Sequence, residues 1–159
     1  MRVIFEWGGE MFPNREVALA DANGLLWGET PPEFVDIIEN GIRYSVNIID
    51  GQKSGFYCDQ RENRFLTAQY TKGKRVLDCF CYSGGFTLNA LREGAAEVVA
   101  VDSSALAIDT LKNNIIQNQF DISKYKAVQS DVNKYLRQLG EGQEKFDVIV
   151  LDPPKYAPS

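Results

Sequence analysis

The sequence contains no histidine. This absence excludes histidine-ligated metal sites, Ser-His-Asp triads and histidine general bases. Cysteine is scarce as well, because Cys58, Cys79 and Cys81 are the only three and none of them forms a Cys-x-x-Cys pair. An odd number of cysteines without that spacing predicts reduced thiols in an intracellular protein.

The sequence also lacks any apolar run long enough to span a bilayer, and its N-terminus does not resemble a signal peptide. We therefore expect a cytoplasmic protein without membrane contact, although organelle targeting stays open if another start precedes Met1. Positive charge is in deficit, since 17 Lys and Arg against 22 Asp and Glu give a net charge of -5. This balance argues against a broad nucleic-acid-binding surface but permits a local one.

The C-terminal part of the chain alternates between strand-like and helix-like segments from about residue 74. Four strands are predicted, over residues 75–79, 97–101, 125–130 and 146–151. The intervening helices are expected to begin near Gly85, at Ser103 or Ser104, and near Val132, the last of them ending at Gly140. This alternation is typical of βαβ units, so it predicts a Rossmann-like parallel sheet with both faces covered, in the α/β class.

The first 50 residues lack this alternation and predict a small β-rich α+β lobe. Strand-like runs over 24–29 and 43–49, with Asn40-Gly41 as a turn signal, indicate antiparallel strands and a hairpin. The expected core of the lobe consists of Trp27, Phe34, Ile37, Tyr44, Val46 and Ile48. We place the boundary between this lobe (residues 1–50) and the α/β domain (residues 51–159) at residue 50, and we expect the lobe to be a structural appendage.

The segment from Gly51 to Arg64 is dense in glycine, aromatic and charged residues. Asp59 is predicted to cap a helix that starts directly after it. Two interpretations of the segment remain open. Its arginines can simply face solvent on that helix, or the segment can lie over a ligand with Phe56 or Tyr57 stacking on it.

Each of the four predicted strands has a carboxylate at its carboxyl end, from Asp78, Asp102, Asp131 or Asp152. In an open parallel sheet the carboxyl ends of the strands meet at one edge, where ligands bind. An aspartate at such a position can also cap the next helix. Four of them together with the glycine pair after the first strand nevertheless predict a ligand site.

The glycine turn after the first strand narrows the choice of ligand. It lacks the G-x-G-x-x-G spacing of dinucleotide folds, and no G-x-x-x-x-G-K-[ST] sequence occurs. The carboxylate of Asp78 would repel a phosphate, whereas Asp102 is placed to accept both hydroxyls of a ribose. A cationic ribose-bearing cofactor without phosphate fits this pattern, and S-adenosylmethionine is such a molecule.

Several stretches resemble a known family, the class I S-adenosylmethionine-dependent methyltransferases. They are GQKSGFYCDQRENR at 51–64, Val76 to Phe86, Val101 to Ser104, Ser130 to Val132 and the stretch Phe146 to Tyr156, which includes DPPKY. The match is closer to one branch, the 23S ribosomal RNA cytosine-5 methyltransferases that carry an N-terminal PUA domain. The resemblance implies a sheet of about seven strands, so we expect the chain to be a piece truncated after the fourth strand and lacking the PUA domain.

The resemblance also implies a set of cofactor-binding residues, namely Gln60, Arg61, Asp78, Phe80, Tyr82, Gly84, Gly85, Asp102, Ser103, Asp131 and Val132. Asp78 and the turn after it would surround the methionine part of the cofactor. Asp102 would hold the ribose hydroxyls, and Asp131 with Val132 would face the adenine. The first two residues of the set would close the pocket from the preceding segment.

The implied reaction is methyl transfer to C5 of a cytosine in large-subunit ribosomal RNA. The catalytic residues implied in this chain are Asp152, Pro153 and Lys155, between the methyl group and the target base. Such enzymes first add a cysteine thiolate to C6, and in this branch that cysteine would lie beyond residue 159. Cys79 is expected to be a packed strand residue, and Cys81 to line the cofactor pocket.

Three alternatives remain. Asp-Pro-Pro-Lys-Tyr also resembles the motif of enzymes that methylate amino groups of adenine or guanine, and the chain can instead be a non-catalytic module that binds the cofactor or RNA. A nicotinamide-dependent oxidoreductase is disfavoured by the missing glycine motif. We expect RNA as partner, no metal, and a homodimer as one possible state, formed through an unpaired sheet edge. The candidate RNA-contacting residues are Lys53, Arg61, Arg64, Lys72, Lys74, Arg75 and Lys155.

Overall fold

The computed structural model of the chain describes residues 4–7, 23–27, 29–48, 55–142 and 144–154, the first two ranges by their backbone only. The chain divides into two compact units. The first contains residues up to 35 together with 46–57, and the second contains Asp36–Ser45 together with residues from Cys58 onward. The domain boundary at residue 50 stays a prediction.

The first unit contains a two-stranded antiparallel sheet. Strand β1 (Ile4–Trp7) pairs with β2 (Asn23–Trp27), and the register shifts between Ile4 and Phe5. The predicted strand over 24–29 therefore exists, and it begins and ends earlier than expected. The side chain of Trp27, predicted for the core, lies outside the described part of the structure.

Strands β3 (Phe34–Glu39) and β4 (Ile42–Asn47) form a second two-stranded sheet, joined by a two-residue turn. The turn residues Asn40 and Gly41 have φ angles of 51° and 78°. Positive φ at both central positions is the requirement of a type I′ turn, which Asn-Gly satisfies at low cost. The hairpin predicted at this dipeptide is confirmed.

The predicted core of the N-terminal lobe is right for β4 and wrong for the start of β3. Tyr44 and Val46 are fully buried, but Phe34 is 38% exposed and Ile37 only half-buried. Successive residues of a strand point to opposite faces. Phe34 shares its face with the exposed Asp36, so its apolar side chain points away from the packed side.

The second unit is built on a parallel sheet with the order β7-β6-β5-β8. Its strands are β5 (Arg75–Cys79), β6 (Glu97–Asp102), β7 (Tyr125–Gln129) and β8 (Val148–Leu151). All three neighbouring pairs are parallel. The predicted Rossmann-like α/β architecture is confirmed.

Four α-helices accompany this sheet: α1 (Arg61–Ala68), α2 (Gly85–Arg92), α3 (Ala105–Gln117) and α4 (Val132–Glu141). Short 3-10 turns occupy Cys58–Gln60 and Ile122–Lys124. The prediction that Ser103 or Ser104 begins α3 is confirmed, because the side chain of Ser104 accepts a hydrogen bond from the Ala107 amide.

One predicted helix end is wrong, and another is displaced by one residue. Asp59 does not cap α1, because the 3-10 turn moves the helix start to Arg61 and makes Gln60 the cap residue, without a side-chain hydrogen bond. Helix α4 ends at Glu141, one residue past the predicted Gly140.

Alternate residues of the central strands pack against helices on opposite faces. Leu77 and Val99 belong to a core cluster that includes Val132 and partly buried residues of α4. Val76 and Val98 belong to another cluster, with residues of α2. Coverage on both sides explains the continuous apolar runs of β5 and β6, since neither face of these strands meets solvent.

Strand β8 lies at one edge of the described sheet and pairs there with β5. Its Ile149 and Leu151 are each 59% exposed.

No described helix is both long enough and apolar enough to cross a membrane.

Candidate cofactor site

The strand order places a crevice at the carboxyl ends of β5 and β8. The chain runs from β5 outward through β6 to β7, and then returns to the other side of β5 for β8. Where the strand order reverses, the connections on the two sides of β5 run over opposite faces of the sheet. A ligand-binding crevice opens between them, beyond the carboxyl ends of the strands. Asp78 near the end of β5 and Asp152 directly after β8 both lie at this edge.

Asp78 is 1% exposed, although it is ionisable. Its Oδ2 accepts hydrogen bonds from the amide and the hydroxyl of Thr87, at 3.0 and 2.6 Å. Its Oδ1 has no hydrogen-bond partner among the described residues. Burial raises the pKa of Asp78 to about 7, and the nearby carboxylates of Asp102 and Asp152 act in the same direction. This carboxyl can therefore receive a cationic group at Oδ1, which would stabilise its charged form.

The turn after β5 has a strained backbone. Phe80 and Tyr82 have φ angles of 59° and 48°, a region that residues with a side chain rarely adopt. The turn is held by the Cys81 amide, which donates to Val101 O at 3.1 Å, and by the Gly84 amide, which donates to Cys81 O at 2.8 Å. Strain of this kind is concentrated at ligand-binding sites, where surrounding contacts maintain it.

The two glycines of the turn are required by close packing. A Cβ on Gly84, whose φ is 88°, would lie 2.2 Å from Leu111 Cδ1. A Cβ on Gly85 would lie 2.7 Å from Arg64 Cδ. The glycines therefore let α2 begin close to α3 and α1, which fixes the position of the turn beside Asp78.

Asp102 ends β6 with both carboxylate oxygens oriented by backbone amides. Oδ2 accepts from the Tyr82 amide and Oδ1 from the Ser104 amide, each at 2.9 Å. Each oxygen keeps a second lone pair, because a carboxylate accepts about four hydrogen bonds in total. The arrangement suits the predicted role of accepting two ribose hydroxyls, which stays a prediction.

Asp131 and Val132 have structural tasks in α4. Asp131 Oδ1 accepts from the Lys134 amide at 2.8 Å and so caps the helix, the alternative role that the sequence left open. Val132 is 2% exposed within the core cluster of Leu77 and Val99. Their predicted position facing an adenine stays a prediction.

A cleft of about 320 Å³ lies at the carboxyl end of β8. It is lined by Gln60, Asn63, Leu66, Thr67, Phe86, Ile149, Val150, Leu151 and Asp152. Two predicted site residues, Gln60 and Asp152, thus meet in one cleft between α1, the start of α2 and β8. Asn63, Leu66 and Thr67 were missed, although their i, i+3, i+4 spacing places them on one face of α1.

The remaining predicted site residues are less directly placed. Arg61 is exposed and its Nε donates to Asn40 Oδ1 at 3.4 Å. Phe80 is half-buried against the core under α4, whereas Ser103 and Pro153 are exposed. Lys155 lies outside the described residues.

Two residues behind the site have roles that the sequence analysis did not predict. Thr87 is fully buried and supplies both hydrogen bonds to Asp78. The only feature of the sequence that could have indicated this role is a hydroxyl side chain in the first turn of α2. For Arg64 the sequence left two interpretations open, a solvent-exposed helix face or a segment lying over a ligand, and the solvent-exposed face is wrong. Its guanidinium is buried and donates to both carboxylate oxygens of Glu39 at 2.7 Å. Nothing in the local sequence marks that partner, which lies in a separate hairpin.

These features fit S-adenosylmethionine. The unpaired oxygen of the buried Asp78 suits a cationic group, and the oriented carboxylate of Asp102 suits ribose hydroxyls. Among the described residues no group of three or more Cys, Asp or Glu side chains could hold a metal ion. Fold and site together define an open α/β protein that binds a nucleoside cofactor at the carboxyl edge of its sheet.

Comparison with known proteins identifies the family. The profile of the S-adenosylmethionine-dependent methyltransferases matches residues 15–159. The chain belongs to this family, and its cofactor is S-adenosylmethionine.

The relatives and solved structures agree with this assignment. "Ribosomal RNA large subunit methyltransferase I" of Tolumonas auensis is 50% identical over 144 residues, which are 90% of this chain and 36% of that protein. The protein of the same name from Aeromonas hydrophila is 51% identical over 146 residues, 91% of this chain and 37% of that protein. The crystal structure of SMU.776 complexed with SAH superposes with a TM-score of 0.80 at 30% identity, over 87% of this chain and 37% of the other. The chain thus spans just over a third of the length of these proteins.

Proposed function

We propose that the protein containing this chain methylates large-subunit ribosomal RNA, with C5 of a cytosine as the acceptor atom. Half of the aligned residues are identical to proteins named as large-subunit ribosomal RNA methyltransferases, which supports the RNA substrate. A ribosomal RNA substrate would place the protein in the cytoplasm. The structural observation that carries the cofactor part of the proposal is the buried Asp78 with its free Oδ1, beside a turn whose position is fixed by close packing. The acceptor atom rests on the sequence resemblance.

In this proposal Asp78 binds the cationic amino-acid end of the cofactor and Asp102 the ribose. Gln60, at the mouth of the cleft, closes over the bound molecule. When bound, S-adenosylmethionine supplies an electrophilic methyl group. Asp152 and Pro153 follow β8 directly and position the acceptor base at the cleft, where Leu66 and Phe86 provide apolar surface.

The cysteines within the sheet region do not supply the thiolate that attack at cytosine C6 requires. Cys79 is fully buried, and burial raises its pKa to about 11. Burial also raises the pKa of Cys81 well above its ordinary value. Both are therefore protonated at neutral pH, and only thiolates are effective nucleophiles. This agrees with the expectation that Cys79 is a packed strand residue and with a nucleophile elsewhere in the protein.

Few of the basic residues that were predicted to contact RNA remain available for that role. Arg64 is buried in its pair with Glu39, and Arg75 donates to Glu97 at 2.7 Å and lies over the Phe146 ring. Lys72 and Lys74 precede β5, so they lie at the sheet edge opposite the carboxyl ends. Arg61 beside the cleft is the remaining described candidate, while Lys53 and Lys155 lie outside the described residues.

The first experiment is a calorimetric titration of the purified chain with S-adenosylmethionine, alongside Asp102→Ala. Saturable binding that is weakened at least tenfold in the variant supports the cofactor site, since charged hydrogen bonds contribute about 1.5–3 kcal/mol. A folded chain that binds no S-adenosylmethionine contradicts the proposal.

The acceptor atom needs the complete protein and ribosomal RNA that has not been methylated. Mass spectrometry of the digested product distinguishes 5-methylcytidine from N-methylated adenosine or guanosine. The second outcome would favour the alternative in which Asp152-Pro153-Pro154 serves amino-group methylation. A complete protein that binds both partners without turnover would instead indicate a binding module.

A further inference from the structure

The hairpin segment Asp36–Ser45 is connected by buried polar side chains to the cofactor turn, which we define as Ser83–Gly85. This segment belongs to the same compact unit as the parallel sheet. Three helical residues make the connections, one each from α1, α2 and α3, and they are Arg64, Asn89 and Asn114. Each of them contacts the hairpin segment on one side and the cofactor turn on the other.

The connection through α3 is a chain of hydrogen bonds. Asn114 is fully buried; its Oδ1 accepts from the Ser45 amide at 2.8 Å and its Nδ2 donates to Ser83 O at 3.0 Å. One turn later, Asn118 Oδ1 accepts from the Arg43 amide at 2.9 Å and its Nδ2 donates to Arg43 O at 2.6 Å. These two amides satisfy the backbone of β4 as a neighbouring strand would.

The connection through α2 has the same form. Asn89 is fully buried, and its Nδ2 donates to the hydroxyl of Tyr44 at 3.0 Å and to Gly85 O at 2.8 Å. Tyr44 is itself completely buried. Its hydroxyl is thus a fixed anchor for the residue that holds the second glycine of the turn.

The connection through α1 is an ion pair. Arg64 and Glu39 have side chains that are 4% and 8% exposed, and their two parallel hydrogen bonds measure 2.7 Å. The stem of Arg64 lies against the space where a Cβ of Gly85 would be. A buried bidentate pair has a narrowly defined geometry. Glu39 therefore determines where the arginine stem supports the turn.

We propose that Glu39 and Tyr44 of the hairpin segment are positioning residues for S-adenosylmethionine, acting through Arg64 and Asn89 on the Ser83–Gly85 turn. The hairpin segment is accordingly part of the cofactor-binding apparatus, not a structural appendage. This inference rests on the proposed function in one respect, that the turn faces the amino-acid part of the cofactor. The polar network itself carries the claim that the turn depends on the hairpin segment.

The test compares Glu39→Gln and Tyr44→Phe with a matched control, Glu97→Gln. Glu97 also pairs with an arginine at 2.7 Å, but in a half-exposed pair at the opposite end of the sheet. Tyr44→Phe removes only the hydroxyl, which guards against a folding failure of Glu39→Gln. Calorimetry measures the binding of S-adenosylmethionine and of 5′-methylthioadenosine, which lacks the amino-acid part. Amide hydrogen exchange by NMR, without ligand, measures the turn directly.

Glu39→Gln, which loses a charge-assisted hydrogen bond, should weaken S-adenosylmethionine binding about tenfold, and Tyr44→Phe, which loses a neutral one, about threefold. Binding of 5′-methylthioadenosine should stay unchanged in both variants. The amides of Gly84 and Leu88 should exchange faster, while those of Leu77 and Val99 in the sheet should not. Unchanged exchange at the turn, or equal acceleration everywhere, overturns the inference. Failure of the unmodified chain to bind S-adenosylmethionine contradicts the proposed function instead, and the exchange data then still decide on the hairpin segment.

Discussion

The Asp78 carboxyl should make the stability of the cofactor-free chain depend on pH. Its pKa is raised from 3.8 to about 7, chiefly by burial. The folded state thus binds the proton more tightly than the unfolded state, and stability is lost as pH rises from about 4 to above 7. The difference between these two pKa values corresponds to about 4 kcal/mol in the free energy of unfolding, since each tenfold change in proton affinity is worth about 1.4 kcal/mol. Asp78→Asn keeps the acceptor for Thr87 and removes the charge.

Chemical denaturation of both proteins at pH 4.5 and at pH 8 measures this effect. Asp78→Asn should gain stability over the unmodified chain as pH rises, by up to about 4 kcal/mol at pH 8. Thr87→Val removes the hydroxyl that donates a hydrogen bond to Asp78 Oδ2 and so raises the pKa of Asp78 further. The pH-dependent loss of stability should therefore extend to higher pH in this variant. Binding of the cationic cofactor should tighten between pH 6 and pH 8 in the unmodified chain and lose this dependence in Asp78→Asn. Equal stability of the two proteins at pH 8 would refute the reasoning.

Three further predictions follow from the packing. Gly84→Ala should destabilise the fold by about 2–4 kcal/mol, because its Cβ would lie 2.2 Å from Leu111 in a strained backbone. The control Gly41→Ala has a similar φ and no atom within 4 Å of the new Cβ, so it should cost about 1 kcal/mol. Thermal unfolding compares the two variants. Asp131→Ala should lower the free energy of unfolding by about 1 kcal/mol, because it removes a helix cap. If the folded variant also binds S-adenosylmethionine more weakly than the unmodified chain, the predicted role of Asp131 at the adenine is supported. Ile149→Lys should reduce self-association of the chain through the β8 edge, as measured by size-exclusion chromatography; a chain that is monomeric without the change contradicts this expectation.

Much of the second unit follows from local sequence signals. The strands, the order of strand and helix, and the cap at Ser104 were all predicted, because apolar periodicity and capping act over a few residues. Errors occurred where local signals were ambiguous. Asp59 looks like a helix cap, yet a 3-10 turn intervenes before α1. Phe34 is apolar and strand-forming, but the strand face that carries it is exposed.

The sequence by itself determined the class of the fold and the chemistry at the strand ends. An acid at the carboxyl end of each strand and a glycine turn without phosphate-binding spacing point to a cationic ribose cofactor. These features lie within short stretches, so they can be read without knowing the partners of each residue.

Only the tertiary structure decided which of these residues are available for binding. Asp78 and Asp131 look alike in sequence, but one is buried with a free oxygen and the other caps a helix in solvent. Arg64 is buried because Glu39, in a hairpin earlier in the chain, neutralises it. Burial and long-range pairing depend on the arrangement of the whole unit, since the free energy of a charge is set by its surroundings and not by its neighbours in sequence.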